Sequence, residues 1–249
     1  MVKSLFKHVH FEEIDSTSAY LIRERNKFED FTFVSADFQS KGKGREVRTW
    51  ISLKGANLLF SFILKNKDLI KEYSSISLAC AASIASLLIS KGFKNVKIKW
   101  PNDVYINDKK VCGILLQGYF DEYLVVGIGL NVNQESFPDN LHHPATSMYL
   151  ESNKFYLLSK LREEVFELLF NDLNIKNIRE KHYLNVVNSL DYLKGKEVYV
   201  DINGKKEKVK VLGVNEDNSL LVSHQGHKIS IISGEANFEL SNDDSYSSI

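Results

Sequence analysis

The chain of 249 residues has no net charge, because 32 lysines and arginines balance 32 aspartates and glutamates. No global field draws it to nucleic acid or to an anionic membrane. Cysteine is scarce as well: Cys80 and Cys112 are the only two, with no CxxC pair, which argues against a disulfide framework or a thiolate zinc site. Both read as small buried apolar side chains. No stretch approaches the ~18–20 uninterrupted apolar residues of a membrane span. The opening MVKSLFKHVHFEEIDS is no export signal, since charges and histidines break up its apolar region. These absences predict a cytoplasmic protein with no membrane partner. Arginine is the informative scarcity: there are six against 26 lysines, and Arg45 and Arg48 fall within one four-residue stretch.

Hydrophobic residues make up 43% and aromatics 11% of the chain, as in soluble globular proteins. Such a length buries roughly 70–75% of its unfolded surface, enough for one large domain and a small one. Residues 16–27 have the spacing of a short helix capped by Asp15 or Ser16, with Tyr20, Leu21 and Phe28 inward. FTFVSADF (31–38) and NLLFSFIL (57–64) read as strands, and 69–90 as a helix whose small residues pack closely on a sheet. Three antiparallel strands follow at 96–106, 110–120 and 123–132, with Asn107 and Asp108 turning between the first two. Beyond a loop holding Pro138 and Pro144, helices are expected at 154–171 and 176–189. From Lys194 on, short β segments punctuated by Asn203-Gly204 and Gly226 suit a small barrel of about fifty residues. The irregular alternation favours an α+β fold, a mixed, largely antiparallel sheet packed with helices, over a βαβ array. A boundary is expected between 190 and 194, giving domains 1–191 and 192–249.

Three segments can carry chemistry. Residues 39–54 hold Lys41, Lys43, Arg45, Arg48 and Lys54 against Glu46 alone. Gly42 and Gly44 let main-chain N–H groups converge on an oxyanion, and arginines are bidentate donors to carboxylate or phosphate. A solvated basic loop fits the composition equally well. A Walker loop fails because Gly44 follows Lys43, and a dinucleotide fingerprint fails because Val132 stands where Gly127-x-Gly129 needs its third glycine. In the second segment, 97–113, strand alternation puts Lys97 and Lys99 on one face and Val96, Ile98 and Trp100 on the other, as in a half-buried strand with wet lysines. The same alternation places Lys110 on one face with Cys112, Ile114 and Leu116, where an ammonium needs an anion or water. The third, VVGIGLNVN (125–133), is an interior strand whose glycines admit a ligand or another backbone. Asn131 and Asn133 at its end match an adenine edge or simply bond a turn. His142-His143 is too short a pair for a metal site and is assigned no chemistry.

In their order these segments resemble the biotin protein ligases, also called biotin–[acetyl-CoA-carboxylase] ligases. The resemblance rests on DSTS (15–18), QSKGKGREVRTW (39–50), KWPND (99–103), KKVCGIL (109–115), GIGLNVN (127–133), PATSM (144–148) and SGE (233–235), and spans nearly the whole chain. It implies a class II synthetase-like catalytic domain followed by a small SH3-like barrel. It also implies two steps: the biotin carboxylate attacks the α-phosphate of ATP to give biotinyl-5′-AMP and pyrophosphate, and a carrier-domain lysine then attacks that anhydride. Biotin and ATP would be the substrates, Mg²⁺ would accompany ATP, and the partner would be the biotin carboxyl carrier domain of an acetyl-CoA or related carboxylase. The first step brings two anions together, and unit charges 4 Å apart repel by about 4 kcal/mol at an effective dielectric of 20.

By this resemblance Lys110 touches both carboxylate and α-phosphate and is the main catalytic group together with Arg45. Arg45, Arg48 and Lys43 close over biotin and the phosphates. Ser16, Thr17, Ser18 and Gln39 hold the ureido ring with main-chain groups of Gly42, Lys43 and Gly44, while Trp50 and Gly113 wall ring and tail. Lys99, Asn102 and Asn131 complete the nucleotide site, Asn131 reading adenine. Asp103 would hold Mg²⁺ or orient the acceptor lysine.

The chain departs from the family pattern in places: Ser18 replaces an asparagine, Lys43 an arginine, Val47 a glycine, Gln117 a glutamate and Ala236 a serine. Lysine at 43 keeps the charge and loses the planar fork. None of these removes Arg45, Lys110 or Asn131, so an active ligase is expected. The nearest rival is a lipoate or octanoate ligase, disfavoured because Val111-Cys112 follows Lys110 where a serine-alanine pair is usual there. A non-catalytic module binding carrier domains is another. With fourteen residues before Asp15, no helix-turn-helix head and no specific DNA partner are expected. A homodimer paired through a sheet edge is compatible with the family.

Overall fold

A computed structural model describes residues 6–45, 48–119, 121–139, 141, 143–202, 204–232 and 239–240. Seven strands, β1 (His8–Ile14), β2 (Thr32–Gln39), β3 (Leu58–Leu64), β4 (Val96–Lys99), β5 (Asp103–Ile106), β6 (Lys109–Tyr119) and β7 (Tyr123–Leu130), form one sheet. Their order is β1-β2-β3-β7-β6-β5-β4. Only β1 and β2 run parallel; the other neighbours are antiparallel.

Strand alternation divides the sheet into two faces. Phe33, Phe60, Phe62 and Ile128 join the main core, while Val34, Ile63 and Val125 pack with Leu21 on the opposite side. That second face carries α1 (Thr17–Arg23), capped by the Ser16 side chain accepting from Ala19 N–H. The main core is filled by α2 (Lys67–Lys71), α3 (Tyr73–Ser90) and α5 (Leu158–Asp172), which follows the one-turn α4 (Met148–Ser152). α3 is apolar almost all round, and its alanines and serines let it sit deep among β4, β5, β6 and α5.

Two further helices, α6 (Ile175–Glu180) and α7 (Tyr183–Ser189), lead to a second sheet. Its strands are β8 (Glu197–Ile202), β9 (Lys205–Val214), β10 (Leu220–His224), β11 (His227–Ile231) and β12 (Glu239–Leu240), antiparallel in the order β11-β10-β9-β8-β12. Buried residues run continuously from the first sheet into the second. The contact is also pinned by polar bonds: Trp100 Nε1 donates to Asn218 O at 2.8 Å and Tyr183 Oη to Asn218 Oδ1 at 2.6 Å.

The fold departs from the sequence expectations in several places. The strand expected over 96–106 is a hairpin, β4 and β5 reversing through Trp100-Pro101-Asn102. The helix expected over 69–90 breaks at Glu72, and that over 176–189 at Lys181, whose φ of 55° is left-handed. β1 and α4 were not anticipated. By length and composition α3 could cross a membrane, although serines interrupt its apolar run, and 72% of it is buried inside the fold. Asn107 and Asp108 do form the expected two-residue turn, with φ of 48° and 62°. Val47, Phe120, His142, Asn203 and residues 233–238 lie outside the described residues.

Candidate functional site

The second face of the large sheet turns from aromatic to small residues toward one end. In register across the sheet, Ser61 faces Gly127, which faces Leu115, and Gly129 faces Gly113, which faces Asp103. This low floor leaves a cavity of about 440 Å³. The indole of Trp50 lies directly on the floor: a Cβ at Gly129 would stand 2.4 Å from Trp50 Cε2, and one at Gly113 2.9 Å from Cζ3. Glycine at both positions is therefore a packing requirement of this wall.

A β-bulge decides where Lys110 points. Tyr105 pairs with Lys110 and Val104 with Cys112, leaving Val111 unpaired. The extra residue reverses the alternation, so Lys110 leaves the face of Cys112, Ile114 and Leu116 expected from simple alternation and joins Gly113. A Cβ on Gly113 would lie 3.1 Å from Lys110 Nζ. Cys112 stays in the core, where burial pushes its thiol pKa up, and Cys80 behaves alike. Both cysteines are the buried apolar side chains that the sequence suggests.

At the Gly127 end the groups are neutral. Thr17 donates its backbone N–H and its hydroxyl to Gln39 Oε1, at 2.7 and 2.9 Å. With that proton committed, the 2.8 Å contact between Thr17 Oγ1 and Ser61 Oγ requires Ser61 to donate. The Ser61 oxygen keeps lone pairs free to accept from an N–H. Ser16 and Ser18 hydroxyls meet at 3.1 Å beside them. Asp15, held by Arg23 at 2.5 Å, braces the turn by accepting from Ser16 N–H.

Asn131 lies four residues beyond Gly127, roughly 13 Å along an extended strand, and here the charge changes. Among the described lining residues Lys43, Arg45, Arg48, Lys99 and Lys110 are cationic and Asp103 is the one carboxylate. Lys110 Nζ is 2.6 Å from Asp103 Oδ1 and 5.7 Å from the Trp50 ring centre. Arg45 reaches Asn102 Oδ1 at 3.5 Å, and Asn102 is fixed by donating to Ile114 O at 2.7 Å. Lys99 is only 7% exposed, not the wet lysine of the sequence reading, and burial lowers its pKa. The segment around the arginines folds back on itself through Gly44 N–H to Arg48 O and Trp50 N–H to Gly42 O. Gly42 itself sits behind the wall; its Cβ would strike Trp50 O at 2.8 Å.

Two buried atoms of the wall, Trp50 Nε1 and Asn131 Oδ1, have no hydrogen-bond partner among the described residues. Such groups cost about 1–3 kcal/mol each when left unmade. The cavity thus joins a neutral hydrogen-bonding end, an aromatic wall and a strongly cationic end.

The description "Biotin/lipoate A/B protein ligase family" matches residues 11–133. The Aquifex aeolicus biotin protein ligase solved in complex with biotin and ATP is 30% identical, superposes with a TM-score of 0.79, and the match covers 94% of this chain and 99% of that one. The chain belongs to the biotin/lipoate A/B protein ligase family. Biotin–protein ligase 2 of Arabidopsis thaliana is 30% identical over 213 residues, 76% of this chain and 64% of that protein. The bifunctional ligase/repressor BirA of Bacillus subtilis is 33% identical over 150 residues, 57% of this chain and 46% of that protein. This family member spans about half the length of the first curated relatives it matches.

Of the site residues that the resemblance implies, all but Gly42 line the cavity, whereas Lys41 and Lys54 of the cationic segment do not. Sequence reasoning missed Ser61, although a lone serine inside NLLFSFIL was a visible signal. It missed Phe137, Leu141 and Ala145, and it set aside His143, which lines the same cavity. Asn133, weighed beside Asn131, turns away and ties Tyr156 through both amide atoms.

Proposed function

We propose that this protein is a biotin protein ligase that forms biotinyl-5′-AMP from biotin and ATP and passes the biotinyl group to a lysine of a biotin carboxyl carrier domain. The observation that carries this reading is one slot with a neutral donor–acceptor cluster at one end and five cations gathered around Lys110 and Asn131 at the other. A cyclic urea needs both acceptors and donors, and Ser61, Thr17, Gln39, Ser16 and Ser18 supply them. Trp50 covers the tail between the ends. The carboxylate then arrives beside Lys110, where the ammonium offsets the repulsion between carboxylate and α-phosphate and stabilises charge that grows as the P–O bond to pyrophosphate breaks.

Arg45 and Arg48 pair with phosphate oxygens as bidentate donors, and Lys43 adds a point charge. Asn131, with its unpartnered Oδ1, accepts from the adenine amino group. Asp103 holds Lys110 in the slot and turns to the acceptor lysine in the second step. Asp103, the carboxylate among the described lining residues, would hold the Mg²⁺ that accompanies ATP. When bound, that ion neutralises phosphate charge. Residues 1–191 form the catalytic domain on this reading, and the second sheet is a small SH3-like barrel within 192–249.

Carrier domain incubated with the protein, biotin and Mg-ATP should gain the mass of one biotinyl group on one lysine. Pyrophosphate exchange supported by lipoate or octanoate and not by biotin would overturn the assignment in favour of the other branch of the family.

A further inference from the structure

Lys99 poses a problem that its own strand does not solve. Its ammonium is nearly buried at the cationic end of the cavity, with Asp103 as the favourable charge nearby and Lys110, Lys196 and Arg48 opposing it. Something else must hold it in place. Lys99 Nζ lies 5.7 Å from the ring centre of Tyr105, which pairs with Lys97 on the same face of the sheet. Tyr105 stacks on Tyr192 at 4.9 Å and 20°, and Lys196 Nζ sits 3.6 Å from the Tyr192 ring centre. Rings 4.9 Å apart leave no room between them, so Lys196 caps the outer face of Tyr192.

Tyr192 is in turn fixed by backbone. It donates N–H to Ile98 O at 2.9 Å, and Leu190 O accepts from Ile98 N–H at 2.8 Å, so residues 190–192 lie beside β4 through one parallel bridge between Asp191 and Ile98. The column Lys196–Tyr192–Tyr105–Lys99 therefore runs from the entrance of the second sheet to the wall of the cavity.

We propose that Tyr192 is a positioning residue for the nucleotide: the stacked rings hold the Lys99 ammonium by cation–π attraction in the orientation that meets a phosphate. This rests on the ligase reading, since it assumes that the cationic end receives ATP. It makes the segment between the sheets part of the active site, acting through Lys99 and touching no substrate.

The test is biotin-dependent ATP/pyrophosphate exchange with the full chain. Tyr192→Leu should raise KM for ATP roughly tenfold, leave KM for biotin within twofold, and leave kcat within about threefold. Tyr192→Phe, which keeps the ring, should restore the wild-type KM. In a Lys99→Met background Tyr192→Leu should add less than twofold, because the interaction it serves is already gone. Should Tyr192→Leu fail to fold, Tyr192→Met carries the test, with KM for ATP raised about fivefold and KM for biotin unmoved. Equal rises in both KM values, or full additivity with Lys99→Met, would overturn the inference while leaving the ligase reading intact. A wild-type protein with no biotin-dependent exchange would remove the reading itself.

Discussion

Lys110 shows how much chemistry can hang on one residue's direction. Its ammonium is 2.6 Å from Asp103 and beside the Trp50 ring, and on the proposed reading this is where the carboxylate and the α-phosphate meet. Lys110→Ala should lower adenylate formation by about 10²–10³-fold with little loss of stability; stopped-flow or exchange assays at saturating biotin and ATP report it. At the opposite end, Thr17→Val breaks the hydroxyl chain from Ser61 to Gln39. KM for biotin should rise about tenfold, the worth of roughly one buried hydrogen bond, with KM for ATP unchanged. Lys99 carries a prediction of opposite sign for stability and activity. Burial lowers its pKa, so the folded protein releases this proton at a lower pH than the unfolded chain. The destabilisation is complete below the folded pKa and fades as pH rises toward the ordinary lysine value of 10.5. Lys99→Met should therefore stabilise the protein by about 1 kcal/mol at pH 7, with the gain shrinking in alkaline denaturation experiments, while ligase activity falls. A residue that costs stability where it stands is one retained for its site.

Elements decide where these side chains end up. The glycines of β6 and β7 make the floor on which Trp50 lies, and the bulge at Val111 turns Lys110 onto that floor. Gly129→Ala puts a methyl group 2.4 Å from Trp50 Cε2, so the indole must shift. Overpacking of this kind costs about 1–3 kcal/mol, and titration calorimetry should show biotin binding weakened accordingly, with native circular dichroism. The bulge also marks the limit of what a sequence shows. Strict alternation assigns Lys110 to the face of Cys112, and only the pairing of Tyr105 and Val104 across the hairpin reveals the extra residue. The turn at Asn107-Asp108 was legible because both residues tolerate positive φ. β1 was not, since its parallel pairing with β2 is a contact between segments more than twenty residues apart that HVHFEEI does not announce.

Across the whole molecule, composition hides what the fold concentrates. A chain of zero net charge lines one cavity, among the described residues, with five cations and one carboxylate drawn from the 43–48 segment and strands β4, β5 and β6. The cations of 39–54, Lys110 and Asn131 stood out in short segments because of their own chemistry, whereas Ser16, Thr17, Ser18, Gln39, Trp50 and Gly113 entered only through the resemblance, since nothing local marks them. The column from Lys196 to Lys99 was not readable, since it arises only when residues 190–192 lie down beside β4. On the proposed reading this cavity joins biotin to ATP. The most direct measurement is mass spectrometry of a carrier domain incubated with the protein, biotin and Mg-ATP, with the Lys110→Ala protein alongside. A single biotinyl increment on one lysine, abolished or slowed at least a hundredfold by Lys110→Ala, is the predicted result. An unmodified carrier domain, or modification that Lys110→Ala leaves at full rate, would contradict it.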